Sequence, residues 1–191
     1  MAVVYSARAE ISCFRRHRGD TGMGYWGYYV VARSERSLAE LDTLSGARDA
    51  LTLLERRADG WQVWECPDGG ARRHDVGSMN ALAAETGAPA LFGYVMDSDC
   101  VVIEAAAPES GAWTTCLARD AMAGYLSADE LTLEDYFLEP ADAARRAVAW
   151  ARECGRTVEQ GPLADVLGQD PDPFAEPLFF RFLDRLGVAP L

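Results

Sequence analysis

Ala90-Leu-Phe-Gly-Tyr-Val-Met96, Asp97-Ser-Asp99, Cys100-Val-Val-Ile-Glu-Ala105 is the stretch that decides the fold class. Two runs rich in β-branched and aromatic residues flank three turn-forming residues, and that combination specifies a β-hairpin. Trp113-Thr-Thr-Cys-Leu117, beyond the turn between Pro108 and Gly111, reads as the next strand.

Moving toward the N-terminus, Trp61-Gln-Val-Trp-Glu-Cys66 alternates behind the hairpin signal Asp59-Gly60. Residues 47–58 admit two readings. Ala47, Ala50, Leu51, Leu54 and Ala58 have helical spacing, while Leu51 and Leu53 alternate; a strand from about 50 to 57 is favoured because Asp59-Gly60 calls for an incoming strand. Residues 2–14 and 24–33 form a further strand pair across the charged stretch Arg15 to Met23. Two short helices interrupt the strands. One is opened by the capping-box spacing of Ser37-Leu-Ala-Glu40, and the other runs over residues 79–86 and stops at Gly87.

From about residue 118 the period becomes helical. Ser127-Ala-Asp-Glu130 has capping-box spacing and predicts a helix through Leu138; Pro140 opens another that stops near Gly155. The second carries Ala143, Ala144, Ala147, Val148, Ala151 and Cys154 on one face, with Asp142 placed to pair with Arg146. Gly168 to Pro177, with two Asp-Pro steps, is a loop before a last helix over about 178–186. The expected class is α+β: an antiparallel sheet of about six or seven strands, covered on one face by helices, with an all-helical C-terminal third. Residues 1–126 supply the sheet, and residues 127–191 pack on it within one domain.

Hydrophobic residues make up 49% of the 191, ample for a core, so global disorder is excluded. The net charge is −12 and all 18 basic residues are Arg, a balance that opposes nonspecific binding to nucleic acid or anionic membranes. The lack of Lys, with a single Asn at Asn80, is the composition of a GC-rich bacterial genome. No apolar run approaches the roughly 18 residues of a membrane span. Met1 to Tyr5 is followed at once by Arg8 and Glu10, unlike a secretory leader, and the five cysteines lack paired spacing. Free thiols and a cytoplasmic location are expected.

Few residues suggest chemistry. Arg15, Arg16 and Arg18, followed by Gly22 and Gly24, form a basic, glycine-containing loop suited to an anion, or a solvated loop paired with the surplus carboxylates. Asp97, Ser98 and Asp99 with Glu104 offer clustered oxygens for a divalent cation, but the same residue types favour the turn itself. Cys66 with His74, and Cys13 with His17, fit no standard zinc or dyad spacing. No catalytic residue, metal ligand or cofactor is therefore assigned.

Aromatic residues crowd the strands. Alternation sends Trp26 and Tyr28 to one sheet face and Tyr25 and Tyr29 to the other, which makes Trp26 and Tyr28 interface candidates. Phe180 is a third, because it points away from the helical stripe of Leu178, Phe179, Phe182, Leu183 and Leu186; either the loop around Phe174 covers it or a partner or second copy does. The expected function is a non-enzymatic acidic binding protein of the inhibitor or immunity-type neutraliser kind, acting on a basic protein partner. The alternative is an anionic-ligand-binding or enzymatic domain that uses the Arg15–Gly24 loop.

Overall fold

A computed structural model describes residues 24–68, 74–127 and 130–191. Six strands form one antiparallel sheet: β1 (Gly27–Arg33), β2 (Thr52–Arg56), β3 (Trp61–Pro67), β4 (Ala90–Met96), β5 (Cys100–Ala107) and β6 (Gly111–Leu117). Their order is β2-β3-β1-β4-β5-β6, so β1 lies centrally between two hairpins. The β4–β5 hairpin falls where its residues predict it. Asp97 and Ser98 take positive φ (53° and 57°), and the Asp99 amide closes the turn on the Met96 carbonyl at 2.9 Å. Positive φ at both central residues matches the right-handed twist of the flanking strands.

The segment with two readings is a strand, β2, with a bulge between Leu53 and Glu55 that turns Leu54 outward. The partner expected for β1 within residues 2–14 lies outside the described residues.

Five α-helices occur among the described residues: α1 (Met79–Thr86), α2 (Arg119–Ser127), α3 (Pro140–Glu153), α4 (Gln160–Leu167) and α5 (Glu176–Arg185). Against the first sheet face, which carries Val31, Val63, Leu91 and Ile103, pack Ala143, Ala147 and Trp150 of α3, Leu163 and Leu167 of α4, and Phe179 and Phe182 of α5. Trp150 reaches into the sheet, meets Trp61 at 5.4 Å with the rings tilted by 30°, and donates its indole N–H to the Ala106 carbonyl at 3.0 Å.

Covering extends to the second face as well. Val30, Ala32, Trp64 and Phe92 meet Leu38, Leu41, Leu44 and α1, while Val102, Cys100 and Cys116 meet Met122 and Leu126 of α2 and Phe137. The sequence reading expects helices on one face; much of this second layer is built from single 3₁₀ turns, which the hydrophobic pattern of longer helices does not reveal.

Two capping boxes read from sequence do not form. Ser37 makes no side-chain cap; residues 38–50 instead run as three 3₁₀ turns, Leu38–Glu40, Asp42–Leu44 and Arg48–Ala50. Leu38, Leu41, Leu44 and Ala47 recur every third residue and are all buried, a period that suits 3.0 residues per turn better than 3.6. Ser127 ends α2 rather than opening a helix, and the capping box sits on Thr132 and Asp135 around a single turn. Asp142 pairs with Arg145 one turn away, not with Arg146. Helix α4 was not anticipated from sequence, because Gly161-Pro162 reads as a breaker; Pro is tolerated in a first turn, where its missing N–H has no intrahelical acceptor. No helix among the described residues is long and apolar enough to cross a membrane.

Candidate functional site: an aromatic and carboxylate cluster at one end of the sheet

Register assembles the site. Across the second face Cys66, Tyr28, Tyr94, Val102 and Cys116 stand side by side, and the next row is Trp64, Val30, Phe92, Glu104 and Thr114. Tyr28 and Tyr94, each preceded by a glycine, therefore meet across β1 and β4. Tyr28 and Tyr94 lie at 4.5 Å between ring centroids, and Tyr28 meets Phe92 edge-on at 5.3 Å.

Trp26 stands just before β1 and meets Tyr94 at 6.4 Å (62°) and Tyr125 of α2 at 6.5 Å (86°). The three rings form a cluster joined by these edge-on contacts. Two carboxylates hold it: Tyr125 donates its hydroxyl to Asp99 Oδ2 at 3.1 Å, and Tyr94 donates to Asp68 Oδ2 at 3.3 Å. Burial, and then the charge of Asp99, raises the Tyr125 phenol well above its ordinary range, so it stays a neutral donor. Trp26, Tyr94 and Tyr125 are each partly exposed, and Trp26 is the one tryptophan that is not buried.

The supports of the cluster come from distant segments. The Asp68 amide donates to the Trp26 carbonyl at 2.9 Å, tying the end of β3 to the start of β1. Ser98 exchanges backbone hydrogen bonds with its surroundings in three directions: its amide donates to the Tyr25 carbonyl (3.0 Å), its Oγ accepts from the Tyr25 amide (2.8 Å), and its carbonyl accepts from the Ala175 amide (2.8 Å). The Ser98 hydroxyl also donates to Glu176 Oε1 at 2.6 Å. Loop 168–175, with Asp170, Asp172 and the exposed Phe174, thereby runs up to the same end of the sheet. Asp97, Asp99, Asp170 and Asp172 have no arginine partner among the described residues.

The sequence candidates are distributed as follows. Trp26 and Tyr28 both belong to the cluster. Arg15, Arg16, Arg18 and Gly22 lie outside the described residues. The Gly24 amide donates to Asp97 Oδ1 at 3.2 Å, and a Cβ there would come within 2.1 Å of the Asp97 carbonyl oxygen, so this glycine serves a close approach to an acidic turn. Phe180 lies elsewhere, on the first face and partly buried: its ring meets Tyr29 at 5.2 Å and Phe179 at 5.7 Å, with the Arg57 guanidinium 5.7 Å from its centroid.

Asp97 and Asp99 spend their carboxylates on Gly24 and Tyr125, while Glu104, in the middle of β5, accepts from the Met79 amide at 3.0 Å. No cluster of three or more His, Cys, Asp or Glu suited to a metal occurs among the described residues. Cys66, Cys100, Cys116 and Cys154 are free and buried. Burial raises each of these thiols, Cys66 to about 11 and both Cys116 and Cys154 to about 12, so none is a ready nucleophile at neutral pH. Besides burial, the groups that act on Cys66 are Asp68 and Glu65, with no contribution from an imidazole.

Sequence reasoning missed Tyr94, Tyr125, Asp68 and Asp99 as members of the cluster. Tyr94 was within reach, given the register that pairs it with Tyr28. Tyr125 carried no signal, because its place depends on how α2 docks. No protein-family model, no curated protein and no solved structure matches the chain.

Proposed function

We propose that the chain is a non-enzymatic binding protein that neutralises a basic protein partner through the acidic end of its sheet. The supporting observation is the acidic turn of Asp97 and Asp99, without an arginine partner among the described residues, beside the partly exposed Tyr125 ring, with the loop that carries Asp170, Asp172 and the exposed Phe174 tied to the same turn through the Ala175 amide. In a chain of net charge −12 such an end concentrates the field, and aromatic groups beside it supply the contact area that charge alone lacks. Carboxylates at the rim act mainly on the association rate and on partner choice.

The test is titration with an arginine-rich peptide, a lysine-rich peptide and a glutamate-rich control. The two basic peptides bind and weaken as salt rises, and the acidic one does not bind. Asp97→Asn with Asp99→Asn lowers affinity about tenfold, whereas the equivalent charge loss on α4, Asp165→Asn with Glu159→Gln, changes it by less than about twofold. Equal losses from both pairs would reduce the effect to net charge and sink the proposal.

A further inference from the structure

Phe174 is 57% exposed, the one aromatic side chain among the described residues that is open to solvent to that degree. A lone exposed apolar residue needs no explanation by itself, so what matters is how the chain holds it. Phe174 ends the run Asp170-Pro171-Asp172-Pro173-Phe174, in which two prolines fix φ. Both feet of the run are bolted down. On one side Arg181 of α5 donates to Gln169 Oε1 at 2.7 Å. On the other the Ala175 amide donates to the Ser98 carbonyl at 2.8 Å, and the Ser98 hydroxyl donates to Glu176 Oε1 at 2.6 Å. Ala175 is fully buried, so the chain passes from exposed to buried within one residue. The loop is a stiff prominence, and an aromatic ring carried on it costs little backbone ordering when a partner covers it.

We infer that the Asp170–Phe174 loop is the docking knob for the basic partner: the Phe174 ring enters an apolar cleft on that protein, and Asp170 and Asp172 meet arginine or lysine side chains at the rim of the cleft. The inference rests on the proposed function above and names the anchor within it. Charge complementarity selects the occupant. Asp170 and Asp172 are exposed and have no arginine partner among the described residues, and Ser98 ties their loop to the turn that carries Asp97 and Asp99. Carboxylates on loop and turn repel a second copy of this chain, of net charge −12, and an anionic lipid surface alike. They attract a cleft set between cations. Buried aromatic anchors carry most of the free energy of such contacts, while rim charges set encounter rate and partner choice. Leu54 on β2 is the natural comparison: it is 45% exposed, but the neighbouring Glu55 is already paired with Arg57.

The experiment titrates the full chain with two synthetic peptides equal in length and charge, one of arginine and leucine and one of arginine and serine, and reads binding by calorimetry. The arginine–leucine peptide binds at least about tenfold more tightly, because only it can cover the ring. Phe174→Ser removes that difference and leaves the affinity for the arginine–serine peptide within about twofold. Phe174→Tyr keeps the difference to within about threefold. Leu54→Ser changes neither affinity by more than about twofold. Melting temperatures are unchanged in all three variants, since no buried side chain is altered. Pro171→Gly loosens the loop and weakens the arginine–leucine peptide by about threefold.

If Phe174→Ser and Leu54→Ser affect the arginine–leucine peptide equally, the ring is no anchor and the inference falls. It falls also if the wild type sediments as a dimer that Phe174→Ser converts to a monomer, which would make a second copy the occupant. Binding to phosphatidylcholine vesicles that Phe174→Ser abolishes would overturn it in favour of a lipid surface. Loss of the Phe174 dependence leaves the salt-dependent binding of basic peptides through Asp97 and Asp99 standing, whereas a chain that binds neither peptide removes both readings.

Discussion

At the level of single residues, two buried positions hold the sheet to its coverings. Gln62, fully buried, donates its amide to the carbonyls of Ser34 (2.9 Å) and Arg36 (2.8 Å) and accepts from the Trp64 indole (2.9 Å). It joins β3 to the loop that leads into the 3₁₀ turns. Leucine has the bulk but none of these bonds, and each buried polar group left without a partner costs about 1–3 kcal/mol. Gln62→Leu is therefore expected to destabilise by at least about 2 kcal/mol in urea titrations. Gly93 answers a different demand: a Cβ there would lie 2.5 Å from the Phe179 ring, which passes flat over the strand and stacks on Tyr29 at 5.8 Å. Gly93→Ala should cost about 1–3 kcal/mol by overpacking, and Phe179→Leu in the same chain should recover part of that loss. Strictly additive effects of the two substitutions would show that the clash is relieved elsewhere. The sequence marked Phe179 as core but left Gly93 unexplained, since a glycine's reason lies in whatever crosses it.

Among the elements, the C-terminal segment is fastened by one buried arginine. Arg57 donates through Nε to Glu55 (2.5 Å) and through Nη1 to Asp184 (2.6 Å) and to the Val188 carbonyl (2.6 Å). Beside it the Ala58 amide donates to the Ala189 carbonyl at 3.1 Å and Arg57 bridges to Pro190, so the tail lies antiparallel to the end of β2. Arg57→Met keeps the apolar stem and removes every donor. Hydrogen exchange at the Ala58 amide should then accelerate by at least about tenfold while amides in β4 and β5 keep their protection, because opening is local to the fastening. Exchange that accelerates equally in all strands would contradict this. The 3₁₀ turns have their own pin: Glu85 of α1 accepts from the amides of Asp42 (2.8 Å) and Thr43 (2.9 Å) and from the Thr43 hydroxyl (2.7 Å), which holds its carboxyl below the usual range. A carboxylate lowered in the folded state contributes stability above its unfolded value and loses it as pH falls. Glu85→Gln should therefore flatten the acid limb of the stability curve. These elements were partly legible. The strands, α1 and α3 declared themselves by alternation, caps and Pro140, whereas the 3₁₀ turns imitated a capped helix and α4 hid behind Gly161-Pro162.

Across the whole molecule, phenols and thiols set the alkaline limit. Burial, then Glu65 and Glu176, raises Tyr29 to about 12, and burial raises Cys66 to about 11 and Cys116 and Cys154 to about 12. An acid whose folded value exceeds its unfolded one stabilises fully below the unfolded value and loses that contribution as pH climbs through the folded one. Stability should hold to about pH 9 and then fall steadily to pH 11–12, with tyrosinate absorbance rising together with loss of structure. Tyr29→Phe should make the decline shallower, and an unchanged slope would remove Tyr29 from the account. What the sequence determined by itself was class and local form: the α+β division, the Asp97–Asp99 hairpin, the strand at 52–56, the buried stripe of α5 and the acidic surplus, since each follows from periodicity, turn chemistry or composition within a short window. The tertiary structure decided the rest. It placed β1 between two hairpins, and so brought Tyr28 onto Tyr94; it docked α2, and so carried Tyr125 to Trp26 and Asp99; and it turned Phe180 onto Tyr29 and Arg57 of its own chain. These are contacts between segments tens of residues apart, selected by which buried surfaces fit together, and no local window contains the free energy that selects them.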